Sequence, residues 1–341
     1  MNKKWEASME TLSVGEQFAE KVKDNAKKDR IRRMMPIILL VVMTAIGAIT
    51  QRNFFSARNL VNILYQMSIP LVISVSLMFV LLLGSIDLSI EGVMGFAGSF
   101  TAFLVQNRTN SNNFGIFGIL LVLVICTCVG ALTGFIHTKG RIASFITTYA
   151  VGQVMTGIAV LVYNSTPIAV TEPAFVTISQ GRLFGIPYLT LMSFAIFAVG
   201  AIILNFTAFG RAVYAIGDNE TAAASTGINV PLTKIKVFAL SALMASAAGI
   251  LMCIRLKLGQ SSIGLNQMFP VVTAIVLGGG SLYGGKGGAL SAFVGVLVYT
   301  ELTNWLTLMG VDTYLRGVIQ GIIIIVAVTL TIERTRKTIS K

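Results

Sequence analysis

The chain has 341 residues, of which 55% are hydrophobic and only 12% charged, with a mean hydropathy of +0.80 and a formal net charge of +12. Soluble domains carry roughly 25% charged residues; half that, with repeated apolar runs, excludes a pair of soluble domains and argues for one unit in a bilayer. The basic excess sits at the two ends, KKDRIRR (27–33) and ERTRK (333–337), where it orients apolar spans, so no nucleic-acid partner is expected.

The first 33 residues form a basic tail without the short apolar core and cleavage site of a removable signal. Trp5, Met9, Leu12, Phe18 and Val22 make a loose apolar stripe there, which fits an interfacial helix and a frayed tail equally. Ten apolar runs follow, at 34–50, 60–83, 92–106, 114–136, 142–163, 188–206, 235–254, 270–281, 288–309 and 317–332. The predicted fold is therefore an all-α integral membrane bundle of about ten transmembrane helices over 34–332, closed by a second basic tail at 333–341. The eighth run is too short to cross alone and reads as tilted, re-entrant or broken, which is tolerated under protein cover. With the amino terminus in the cytoplasm, inside segments hold 19 of the 26 Lys and Arg and outside segments hold 7. Most of that excess lies in the amino-terminal tail. The balance predicts a multi-pass membrane protein with both termini cytoplasmic. The longest outside loop, 164–187, contains STPIAVTEPAF and reads as ordered but irregular.

Several polar positions interrupt the apolar runs. In GSIDLSIEG (84–92), Asp87 has two readings: it caps a helix beginning at Leu88, or with Ser89 it faces a translocation pathway. Cys126, Cys128 and Cys253 lie in apolar runs without a CxxC pair, and His137 is the lone histidine, so the cysteines read as buried small hydrophobes and no metal is expected. In TELTNWL, Glu301 and Trp305 share a helix face beside Asn304; the set suits either a sugar-facing surface or an interfacial aromatic belt. Gln66, Gln153 and Gln320 either line a pore or bond helix to helix, and the 14 Met read as packing filler. ALSALMASAAGIL (239–251) allows close packing, within the chain or against a second copy. GSLYGGKG (280–287) imitates a phosphate loop, but Gly287 stands where Ser or Thr would hold magnesium, so it reads as a glycine turn and not a nucleotide site.

The loop 207–234 holds a polar, alanine-rich stretch, GDNETAAASTGI (217–228). Asp218 or Asn219 is placed to cap a helix, Glu220 to favour its positive end, Ala222, Ala223 and Ala224 to propagate it and Gly227 to stop it. Such a two-turn helix is marginal alone, so it either folds back on the bundle or docks a partner.

The stretch 210–228, which ends in YAIGDNETAAASTGI, resembles the cytoplasmic loop of permease subunits of ATP-binding-cassette importers for simple sugars, the ribose, xylose and galactose group. GSIDLSIEG (84–92), TKGRIASFITTYAV (138–151) and VLGGGSLYGGKGGALSAFVG (276–295) resemble further signatures of that family, in the same order along the chain. Ser85 departs from its more usual glycine, and Glu91 from a position that often holds a small residue. The resemblance implies a ten-span, type II-like importer bundle working as a pair of permeases, homo- or heterodimeric. Separate cytoplasmic ATPase subunits would bind the ATP, with no cofactor held here, and an extracytoplasmic sugar-binding protein would deliver the cargo. It implies a coupling helix carried by Gly217, Asp218, Asn219, Glu220, Ala223 and Gly227. Permeases for nucleosides or branched-chain amino acids share this build. An ion-coupled secondary transporter is the rival class, with Asp87, Glu91 and Glu301 its only candidate acids. A membrane enzyme is disfavoured because no catalytic Cys, His and Asp set is present.

Overall fold

The computed structural model describes residues 34, 36–164 and 166–331. The amino-terminal apolar stripe and both basic tails lie outside the described residues.

In chain order the helices are α1 (Pro36–Thr50), α2 (Ala57–Leu82), α3 (Ile90–Leu104), α4 (Gly115–Lys139), α5 (Ser144–Tyr163), α6 (Pro173–Gln180), α7 (Tyr188–Phe206), α8 (Ala208–Asp218), α9 (Glu220–Ser225), α10 (Val230–Leu256), α11 (Met268–Leu277), α12 (Ala289–Leu308) and α13 (Thr313–Thr331). Six of the described helices, α2, α4, α5, α7, α10 and α12, are long and apolar enough to cross a membrane. α2 and α10 are mostly buried and form the axis of the bundle, whereas α4, α5 and α7 turn much of their apolar surface outward. The chain is thus apolar on the outside as well as the inside, as lipid contact demands.

The third apolar run does not form a full crossing. α3 has 15 residues, about 22 Å of helix against a hydrocarbon core of about 30 Å. Its start lies inside the bundle. Residues 84–89 turn back from the end of α2 and climb along α5: Ile86 N–H donates to Ser144 Oγ, and Leu88 N–H donates to Thr148 Oγ1 one turn further in. Gly92 then meets Gly152, the ninth of the twenty residues of α5. The eighth run is broken as expected, and α11 has only ten residues. After α10 the chain descends beside α3 from the opposite direction. Gly259 packs on Ala102, Ser261 on Gly95 and Gly264 on the Glu91 backbone, the last two through a 3₁₀ turn over Ser261–Gly264, and α11 starts there. Two re-entrant segments, one from each end of the bundle, therefore meet at α3.

Glycines make this possible. A Cβ on Gly92, Gly95, Gly249 or Gly264 would overlap backbone atoms of Gly152, Ser261, Met94 or Glu91. The small-residue run of α10 is used inside the chain, with Ala242, Ala245, Ser246, Ala248 and Gly249 all buried.

The loop 164–187 is more regular than expected. It contains α6, a two-residue hairpin pairing Arg182–Leu183 with Ile186–Pro187, and a strand Ile168–Ala169 that pairs antiparallel with Leu258–Gly259. Short strand pairings leave no periodicity long enough to read. Nearby, the amides of Asn107, Asn110 and Asn112 all donate to the Phe103 carbonyl and close the end of α3. Cys126 and Cys253 are buried, but Cys128 is exposed on the outer face of α4.

These contacts set a contrast between two glycines of neighbouring helices. Gly92→Ala should cost about 1–3 kcal/mol through overpacking, whereas Gly157→Ala, whose Cβ would meet nothing within 4 Å, should be neutral or stabilise by about 0.5–1 kcal/mol. Thermal unfolding of the two variants in detergent checks the opposite signs.

Candidate functional site

The predicted site residues fall into three separate places. The first is the loop end of the bundle. Asn219, not Asp218, caps α9: its Oδ1 accepts from Ala222 N–H at 3.0 Å. Asp218 instead closes α8, an amphipathic helix whose apolar positions are interrupted by Gly210, Arg211 and Gly217, so that it looks like loop in the sequence. At the far end Gly227 adopts φ +86, and Ile228 N–H returns to the Ala223 carbonyl. Ala223 is the buried anchor of α9, and residues 218–222 and 224–227 are exposed. Glu220 pairs with Lys234 at 2.8 Å, tying α9 to the first turns of α10.

Gly217 joins this helix to the bundle core. A Cβ there would overlap the Leu82 carbonyl oxygen, and the same carbonyl accepts from Gly285 N–H at 2.9 Å. Gly284, Gly285 and Gly287 all have positive φ, so the 280–287 turn is built from backbone that other residues adopt at a cost. Tyr214 donates its hydroxyl to the Gly287 carbonyl at 3.0 Å; burial raises the phenol's pKa, which keeps it a protonated donor well above neutral pH. Three sequence motifs thus meet at one point: the end of α2 leading into 84–89, the glycine turn, and the α8–α9 junction.

The second place is the bundle interior. Asp87 lies at the level of Ser76, six residues or about 9 Å from the end of α2. One carboxylate oxygen accepts from the backbone N–H of Ser89 at 2.9 Å and from its hydroxyl at 2.5 Å. The other accepts from Ser241 Oγ of α10 at 2.7 Å, and Ser76 Oγ donates to the Ser241 carbonyl. Asp87 does not cap a helix at Leu88, since α3 begins at Ile90, and neither Asp87 nor Ser89 faces open space: both are buried. Glu91, the departure from the family pattern, accepts from Gln267 N–H at 3.1 Å and Met268 N–H at 3.0 Å, and so caps α11.

The third place is the opposite end. Glu301 is buried and accepts from Thr44 Oγ1 of α1 at 3.0 Å. Trp305 Nε1 donates to Thr50 Oγ1 of α1 at 2.8 Å. Asn304 donates to Asn59 Oδ1 and accepts from Asn62 and Gln66 of α2. These side chains clamp α12 to α1 and α2; they do not present a shared open face. Gln320 bonds α13 to α12 through Thr303, while Gln153 is exposed and has no partner among the described residues. Sequence reasoning missed Ser76, Ser241, Asn59 and Asn62, since one hydroxyl or amide in an apolar helix carries no signal until its partner is known.

A helical bundle with lipid-compatible faces, broken helices and a small exposed helix on one end has the build of a membrane transport protein. The profile of the family described as branched-chain amino acid transport system / permease component matches residues 59–328, and the chain belongs to that family. It is 34% identical over 296 residues to the ribose import permease protein RbsC of Haemophilus influenzae, covering 85% of this chain and 90% of that one. It is 32% identical to the L-arabinose permease protein AraH of Azospirillum brasilense, covering 87% of each chain. It is 31% identical to the galactose/methyl galactoside import permease protein MglC of Escherichia coli, covering 86% of this chain and 92% of that one. No solved structure is matched. The protein is therefore a multi-pass membrane transport permease.

Loss of the α9 cap should be measurable locally. Asn219→Ala should cost about 1 kcal/mol of helix stability, seen as faster amide exchange at 221–224, and Asn219→Asp should restore protection.

Proposed function

We propose that this chain is the transmembrane subunit of an ATP-driven importer for a monosaccharide, with pentoses the first candidates. The observation that carries this is the similarity, over 85–87% of this chain, to permeases named for ribose, arabinose and galactose. On this reading residues 34–332 form the membrane domain, of about ten spans including the broken ones, between two cytoplasmic tails. The loop 207–234 lies in the cytoplasm and holds the coupling helix. ATP is hydrolysed by separate ATPase subunits, and this chain holds neither nucleotide nor cofactor. A binding protein delivers sugar from the far side, and a second permease copy completes the path.

The exposed shell of α9 supports the docking role. Small side chains at Ala222 and Ala224 let a partner's backbone approach, and Gly217 forbids any slack between α9 and the bundle. A push on α9 would reach Leu82 and Gly285 directly, and from Leu82 the re-entrant segment 84–89. Asp87 then ties that segment to α10. Such a body switches between packed arrangements instead of deforming smoothly.

Reconstitution with its ATPase and binding protein tests the reading. Ribose or a related sugar should stimulate ATP hydrolysis and enter vesicles only when ATP is present. Uptake that collapses with an uncoupler while ATP is held constant would sink the proposal in favour of ion coupling. Gly217→Val should abolish sugar-stimulated hydrolysis and uptake together.

A further inference from the structure

The re-entrant segment after α10 leaves an irregular tip with exposed side chains halfway through the bundle. Its tip follows Gly264, which lies on the Glu91 backbone, and Glu91 is one residue from the Gly92–Gly152 contact at the middle of α5. At that depth Leu265 is 50% and Phe269 66% exposed, and Asn266 between them is exposed with φ +60. Non-helical backbone at membrane depth is tolerated only under protein cover or against water. Leu265, Asn266 and Phe269 of this tip are left largely uncovered by the described residues.

A second exposed polar group lies at the same depth. Gln153 follows Gly152 on α5. The flank of α5 that meets the re-entrant segment is marked by Tyr163, whose hydroxyl bonds Ser261 at 2.9 Å. Ten residues at 100° each put Gln153 about 80° from Tyr163 around the helix, within a quarter turn of that flank, and about 15 Å along the axis from it. The side-chain amides of Gln153 and Asn266 have no hydrogen-bond partner among the described residues, although nearly every other polar side chain at this depth has one. An unpaired primary amide is costly in hydrocarbon and costs little against water.

We infer that Gln153 and the tip at 265–269 form one wall of an aqueous path at mid-depth. Gln153 and Asn266 offer hydrogen bonds to a polyhydroxylated solute, and Phe269 offers an apolar surface for a sugar ring. The sugar as occupant rests on the function proposed above; the water-facing wall does not. Unlike Asp87, Glu301 and Asn304, which are consumed by the fold, these side chains are free to exchange partners as a solute passes.

The test uses the full chain in membranes with its ATPase and binding protein. Cys128→Ser removes the exposed native thiol, and single cysteines replace Gln153, Asn266 or, as a lipid-facing control on α4, Val124. The probe is a permanently charged methanethiosulfonate. Cysteines at 153 and 266 should react at least tenfold faster than the one at 124; equal, slow reaction at all three would overturn the inference. In the native-cysteine chain Gln153→Leu should lower ribose uptake about tenfold at unchanged membrane level and unstimulated ATP hydrolysis, and unchanged uptake would remove the sugar contact. If the wild type moved no sugar while the labelling contrast persisted, the proposed function would fail and the aqueous wall would stand.

Discussion

Every backbone polar group that leaves a helix at depth must find a partner inside the protein or in water. That requirement explains where the interior polar side chains are. The segment 84–89 is non-helical, and its N–H groups are taken by Ser144, Thr148 and Asp87. α11 begins in the middle of the bundle, and the N–H groups of Gln267 and Met268 at its start are taken by Glu91. A carboxylate there also meets the positive end of the helix dipole. Asp87 and Glu91, close together in the chain, thus each complete one of the two broken helices. Their charges are bound up with the fold, which weakens any case for them as ion-coupling acids.

The same economy of space governs the loop end. Four peptide groups, at Leu82, Gly217, Gly284 and Gly285, crowd within contact distance because three of them carry no side chain. A helix of six residues would be a poor lever on a flexible tether. Here it follows directly on α8, is anchored through Ala223, and is tied forward to α10 by Glu220 and Lys234. On the proposed reading, this is what lets a small surface element act on segments buried further inside the bundle.

Much of this was legible in the residue order. The polar, alanine-rich stretch gave α9 its cap and stop to within one residue, because Asn219 and Gly227 act through local geometry. The long spans showed as apolar runs, and α7 matches its expected ends. What failed was depth. Residues 92–106 looked like a crossing because a half-helix under protein cover is as apolar as a full one. α8 was missed because an amphipathic surface helix of eleven residues does not interrupt hydropathy clearly. Asp87, Glu301 and Asn304 stand out as unusual in the sequence, but apart from Ser89 beside Asp87 their partners are more than 150 residues away. Type and spacing alone could not separate a side chain that lines a path from one that holds two helices together.

The clamp at the opposite end bears on how such a bundle can move. Glu301, Asn304 and Trp305 bond α12 to both α1 and α2. Separating these helices would leave a buried carboxylate and several amides unpaired, so they are expected to travel as one body. The exposed helices α4 and α5 lack comparable polar ties to that group. They reach the axis mainly through glycine and alanine contacts with α3 and α10, such as Gly130 on Phe238 and Gly152 on Ser89. Surfaces of that kind can slide on the α4 side, whereas on the α5 side the bonds of Ser144 and Thr148 to the 84–89 segment and of Tyr163 to Ser261 must travel with the helix or break. A transport cycle on this scaffold would therefore divide between the amide-clamped helices and the small-residue seam, and the re-entrant tip at 265–269 lies along that seam.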